Sequence, residues 1–83
     1  MITIYTKPNC SYCDRAKAFF ELHGISYATW NIEFSPEARE FLKARGHRTV
    51  PQFYTHEDTL VVEGGYEGLA KLSLEQIAVL KGL

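Results

Sequence analysis

A short β-branched strand, a sharp break and a helical repeat stand in that order at the start of this chain, and they constrain its fold most. Ile2 to Thr6 alternate as a strand does. Lys7-Pro8-Asn9 breaks that strand. Residues 11–23 then read as a helix, with Ala16, Phe19, Phe20 and His23 on one face, and Gly24 suits the position just past its end. Residues 26–32, with Tyr27, Trp30 and Ile32, predict a second strand. A strand–helix–strand unit closes by parallel pairing through a right-handed crossover.

The remaining signals extend that unit. Ser35 is an N-cap candidate, Pro36 suits the first helical position, and Glu37 suits the positive end of the helix dipole. Ala38, Phe41, Leu42 and Arg45 form the predicted inner face of this helix, and Gly46 ends it. Pro51 opens a third strand over Gln52–Thr55, His56-Glu57-Asp58 turns, and Thr59–Val62 make a fourth. Gly64-Gly65 stops it. A short helical piece over 67–72 precedes a last helix, where Ser73 and Gln76 make a capping box and Leu74, Ile77, Ala78 and Leu80 are the apolar positions. This order predicts one α/β domain over 1–83. Its four-stranded mixed sheet has the first strand central and helices on both faces.

Size and charge narrow the function. A chain of 83 residues buries roughly 60–65% of its extended surface, enough for one core and no deep cofactor cavity. The net charge of −1 argues against nucleic acid as the main partner. No apolar run approaches the ~20 residues that span a bilayer, and Met1–Thr6 lack the basic start of a signal peptide. The expected location is the cytosol, where thiols are kept reduced.

Chemistry centres on Cys10-Ser11-Tyr12-Cys13, at the junction of first strand and first helix. A helix N-terminus carries partial positive charge and unpaired N–H groups, which stabilise a thiolate at Cys10, and Lys7 adds to that field. Cys13 falls one turn later on the same side, with its sulfur expected inward. Cys10 is therefore the expected nucleophile and Cys13 the resolving thiol. Three blander readings compete. A structural disulfide would close too small a loop to add much stability. A zinc site would need two more ligands, and His23, His47 and His56 lack the spacing. Two inert buried thiols fit poorly with an exposed strand-end loop.

These residues resemble the glutaredoxin family of the thioredoxin fold. The likeness lies in Tyr5-Thr6-Lys7 before the CxxC, Arg15-Ala16-Lys17 after it, Thr49-Val50-Pro51-Gln52-Phe53, and Gly64-Gly65-Tyr66. The resemblance implies a sheet of strand order 2-1-3-4 and a cis Val50–Pro51 bond. That bond turns the Val50 backbone toward the cysteines, where it pairs with glutathione as an added strand would. It further implies that Lys7 and Gln52 or Arg48 meet the glycine carboxylate, with Thr49 in the same segment, and that Tyr12 walls the groove. Gly64 and Gly65 allow close approach, and the N–H groups of Tyr66 and Glu67 donate to the γ-glutamyl carboxylate.

Two departures stand out. Many dithiol members have Pro where Ser11 stands, and Glu67 replaces a frequent Asp. The resemblance implies a glutathione-dependent thiol–disulfide oxidoreductase, a monomer with no tightly bound cofactor and no membrane or nucleic-acid partner. Its substrates would be glutathionylated or disulfide-containing proteins, ribonucleotide reductase among the candidates. One alternative is a redoxin served by thioredoxin reductase. Such redoxins usually carry Gln where Tyr12 stands and a W-S-G-F-like segment where this chain has Gly64-Gly65-Tyr66. Another is a [2Fe–2S] carrier with Cys10 from two subunits and two glutathiones as ligands, a reading motivated by Ser11.

Overall fold

The computed structural model describes residues 1–83. β1 (Ile2–Thr6) leads to α1 (Ser11–Leu22), β2 (Tyr27–Asn31), α2 (Pro36–Ala44), β3 (Gln52–Thr55), β4 (Leu60–Val62), α3 (Gly65–Ala70) and α4 (Leu74–Lys81). The strands form one mixed sheet in the order β2-β1-β3-β4. β1 is parallel to β2, with Ile2 opposite Tyr27 and Thr6 opposite Asn31. β3 is antiparallel to both β1 and β4, with Phe53 opposite Ile4 and Val62.

Alternation along the strands separates two cores. Ile2, Ile4, Phe53 and Val62 face Ala16 and Phe20 of α1, Leu69 of α3, and Ile77 and Leu80 of α4. Tyr5 and Tyr54 face Ala38 and Leu42 of α2 on the other side. There Tyr5 stacks on Phe41 at 5.3 Å and meets Tyr54 edge-on at 5.8 Å. Helices thus cover both faces of the sheet.

The local helix signals act as the sequence indicates. Ser35 caps α2 by accepting from the Ala38 N–H at 3.2 Å. Ser73 and Gln76 form a reciprocal capping box on α4. Other expectations change. Leu74 is 81% exposed and Ala78 is exposed, because α4 enters the core only through Ile77 and Leu80, three residues apart. Arg45 lies outside the α2 core. Its guanidinium sits 4.6 Å above the Phe41 ring and donates to the Asp58 carbonyl at 3.0 Å. α3 begins at Gly65 rather than 67, since its first turn closes by the Gly68 N–H donating to the Gly64 carbonyl at 3.3 Å. β4 begins at Leu60, although the Thr59 carbonyl still accepts from the Thr55 N–H at 2.8 Å.

No helix is long and apolar enough to cross a membrane.

Candidate active site

The chain leaves β1 at Lys7-Pro8 and turns at Asn9, which takes a left-handed φ of 56°. Asn tolerates that conformation better than most residues. Cys10 follows as the N-cap of α1 with extended backbone, and its sulfur accepts from the Cys13 N–H at 3.2 Å. The Cys10 carbonyl accepts from the Asp14 N–H at 3.1 Å. A sulfur at this position meets both a direct donor and the positive end of a 12-residue helix.

Cys10 and Cys13 are joined as a disulfide, with Cα atoms 5.2 Å apart. Both residues are buried, to slightly different degrees. Cys10 is 9% exposed, and Cys13 is fully buried at 0%. A thiol that attacks must reach solvent, whereas one that resolves need reach only its neighbour.

The partner of this cysteine corner comes from 40 residues away in sequence, where the Cys10 sulfur lies 3.9 Å from the Val50 carbonyl oxygen. The Val50–Pro51 bond is cis, as the resemblance implies. The Val50 N–H finds no acceptor within the chain. One residue thus offers an unpaired donor and a carbonyl beside the sulfur, the pair an extended peptide needs for strand-like pairing.

Two grooves meet at Val50. The larger, about 620 Å³, runs from Cys10 toward α2 and is lined by Lys7, Tyr12, Arg48, Thr49 and Val50, with Arg39 and Lys43 from α2. The smaller, about 230 Å³, lies between Thr49-Val50-Pro51 on one side and Gly64-Gly65-Tyr66-Glu67 on the other, with Tyr12 at its edge. Tyr12 is half exposed, its ring 5.9 Å from that of Tyr66 and 5.3 Å from the Arg15 guanidinium. The N–H groups of Gly65, Tyr66 and Glu67 precede the first helical hydrogen bond of α3 and are free to donate into the small groove. Gly64 and Gly65 take φ of 86° and 59°, a region that favours glycine.

Most residues singled out from the sequence therefore converge on one surface. Gln52 does not. It is 5% exposed, and its Nε2 donates to the Thr49 carbonyl at 3.0 Å. Strand alternation turns it to the α2 side of the sheet, so it braces the Thr49-Val50 segment from behind rather than lining either groove. The sequence reading missed Arg39 and Lys43. Their i, i+4 spacing on one helix face was visible, but which face meets the cysteine loop was not. His47, weighed from the sequence only as a metal ligand, instead has its Nε2 2.6 Å from the Tyr54 hydroxyl. Burial first and the Arg45 charge second hold His47 below its ordinary pKa. No group of three or more His, Cys, Asp or Glu side chains stands close enough to hold a metal ion.

A central β1 leading into a helix that opens on a paired Cys10 and Cys13, facing a cis-proline segment, defines a thioredoxin-fold redox domain. The glutaredoxin family model matches residues 2–60, and the chain belongs to that family. It is 41% identical over 54 residues to glutaredoxin 3 of Escherichia coli K12, covering 64% of this chain and 65% of that protein. It is 38% identical over 50 residues to the glutaredoxin-like protein NrdH of Salmonella typhimurium, covering 60% of this chain and 62% of the relative. These matches thus span somewhat less than two thirds of the relatives' lengths. Among solved structures, the Escherichia coli NrdH-redoxin aligns with TM-score 0.64 and 36% identity, over 68% of this chain and 74% of that one. A buckwheat glutaredoxin–glutathione complex aligns with TM-score 0.76 over 98% of this chain and 76% of that one; its 22% identity speaks to the fold alone.

Proposed function

We propose that this protein is a glutathione-dependent thiol–disulfide oxidoreductase of the cytosol. Its substrates are glutathionylated proteins and protein disulfides, with ribonucleotide reductase as one candidate. Cys10 as thiolate attacks the glutathione sulfur of a mixed disulfide. That S–S bond breaks, the substrate protein leaves as a thiol, and glutathione stays bonded to Cys10. A second glutathione thiolate then attacks the bound glutathione sulfur, forming glutathione disulfide and returning the Cys10 thiolate. With a protein disulfide, the buried Cys13 thiol attacks the Cys10 sulfur, releases the second substrate thiol and leaves the Cys10–Cys13 disulfide. Two glutathione molecules reduce that disulfide in turn.

The unpaired Val50 N–H between the two grooves carries the glutathione assignment. Glutathione is a short extended peptide with a carboxylate at each end. Lys7 and Arg48 lie at one end of the combined groove, and the free N–H groups of Gly65, Tyr66 and Glu67 at the other. Cations and backbone N–H groups are the two common ways of holding a carboxylate.

A second reading has its own support. The NrdH relatives match nearly as closely as glutaredoxin 3, and the solved NrdH-redoxin is described as having a thioredoxin-like activity profile. Under that reading thioredoxin reductase reduces the Cys10–Cys13 disulfide directly. Turnover of a glutathione mixed disulfide should be measured with glutathione and its reductase, and separately with thioredoxin reductase. We expect activity with the first. Activity confined to the second overturns the glutathione assignment.

A further inference from the structure

We infer that the larger groove is a docking track for an acidic, extended segment of the protein whose disulfide Cys10 opens. This deepens the proposed activity and rests on it. Lys7, Arg39, Lys43 and Arg48 all line the groove. No carboxylate lines it, although the chain carries ten acidic residues and a net charge of −1. None of the four cations has a carboxylate within ion-pair distance, since the one salt bridge in the molecule joins Lys17 to Asp14. The groove is thus a concentrated positive field on a molecule whose net charge is −1.

One glutathione leaves part of that charge unused. Its glycine carboxylate is one negative group, and Lys7 and Arg48 flank the cysteine loop and Val50. Arg39 and Lys43 remain, one helical turn apart on α2 and open to solvent. A protein substrate is longer. Its backbone beside the reacting cysteine pairs at Val50, and each further residue advances about 3.3 Å along an extended chain. Side chains two and four positions from the cysteine then point the same way, toward the α2 wall. Asp or Glu there meets Arg39 and Lys43 as charge complements. Such pairs act mainly on encounter rate and partner choice, so the groove selects among disulfide proteins without altering the sulfur chemistry.

The test uses the Cys13→Ser protein with short symmetric peptide disulfides. One peptide carries Asp at the second and fourth positions from its cysteine, the other Lys. The Cys10 thiolate displaces one half of a peptide disulfide, which leaves as a free thiol, and keeps the other half as a mixed disulfide. With both peptide disulfides present in equal amounts, intact mass gives the ratio of adducts at early times. At about 0.02 M salt we expect the acidic adduct to exceed the basic one by about tenfold, and at about 0.5 M salt the ratio should approach unity as the screening length drops to a few ångströms. In Arg39→Glu/Lys43→Glu the preference should vanish or reverse. Equal adducts at low salt, or a preference unchanged by that double variant, overturn the docking track. If Cys10 reacts with neither peptide, the proposed activity fails, and the track is judged by binding. The same sequences with Ser for Cys, labelled and titrated against the disulfide form by fluorescence anisotropy, must then still favour the acidic peptide by about tenfold at low salt. Equal affinities reject it.

Discussion

Gly65 faces the Pro51 carbonyl across the small groove, and a Cβ on Gly65 would stand 3.1 Å from that oxygen. The two walls of the groove therefore touch through a residue with no side chain. Gly65 also takes a φ of 59°. A left-handed conformation costs an alanine about 1–2 kcal/mol. Gly65→Ala is expected to lower kcat/KM for a glutathione mixed disulfide by about tenfold while the protein stays folded, a loss equal to about 1.4 kcal/mol. Steady-state kinetics and a circular-dichroism spectrum check it. Unchanged kinetics would show that ligand does not use this groove.

The cysteine assignments separate by substrate. Cys10 meets solvent and Cys13 does not. Cys10→Ser should abolish every activity. Cys13→Ser should keep removal of glutathione from a mixed disulfide yet lose reduction of a protein disulfide. Parallel assays of both variants on both substrates check this, and activity surviving in Cys10→Ser contradicts the choice of nucleophile.

Gly68 sets two effects against each other. Alanine in a helix is favoured over glycine by about 1 kcal/mol. A Cβ on Gly68, however, would overlap the Glu63 carbonyl and crowd the Val62 side chain. Backbone cannot step aside as a flexible side chain can, and overpacking costs typically about 1–3 kcal/mol. Gly68→Ala should therefore destabilise, read as a lower midpoint in urea unfolding. A rise in midpoint would mean that α3 shifts freely on β4.

His47 makes stability depend on pH. Its pKa is lowered in the folded protein, so the unfolded chain binds the proton more readily. Its contribution is therefore fully present above the ordinary histidine value of about 6.5 and is lost as pH falls from there through the folded value. Tm should drop between about pH 7.5 and about pH 5.5, and His47→Asn should flatten that slope. Thermal melts of both proteins across this range check it. Equal slopes would assign the drop to other groups.

Phe20 is fully buried, stacked 5.6 Å from Phe53 and edge-on to Tyr27 at 5.6 Å. It joins the C-terminal half of α1 to the sheet. Phe20→Ala should cost about 3–5 kcal/mol, a large share of the 5–15 kcal/mol typical of a small domain. Denaturant unfolding measures this. A cost near that of a surface substitution would show that α1 repacks around the gap.

Much of this site was legible because its determinants are local. The helix start at Ser11, the Cys10–Cys13 spacing, the Ser35 cap and the Ser73–Gln76 box depend on residues within a turn of one another. Such interactions leave a pattern in the chain itself. The same holds for strand alternation, which separates Ile4 from Tyr5 and places them in different cores. The sheet order follows from the β1–α1–β2 crossover and the β3–β4 hairpin, with the family resemblance supplying it in full.

The groove is different. Gln52 looks like a ligand in Thr49-Val50-Pro51-Gln52, but the register that pairs it with Tyr5 turns it inward. Arg39 and Lys43 look like ordinary solvated charges on a helix, but the α2 crossing makes them line the same groove as Cys10 and Lys7. Sequence by itself determined where the sulfurs sit on their helix, because capping and dipole are short-range. Only the tertiary structure decided what surrounds them, because the walls come from α2, the Val50 segment and the Gly64-Gly65 turn, and only long-range strand pairing and the packing of the two cores hold those pieces in register.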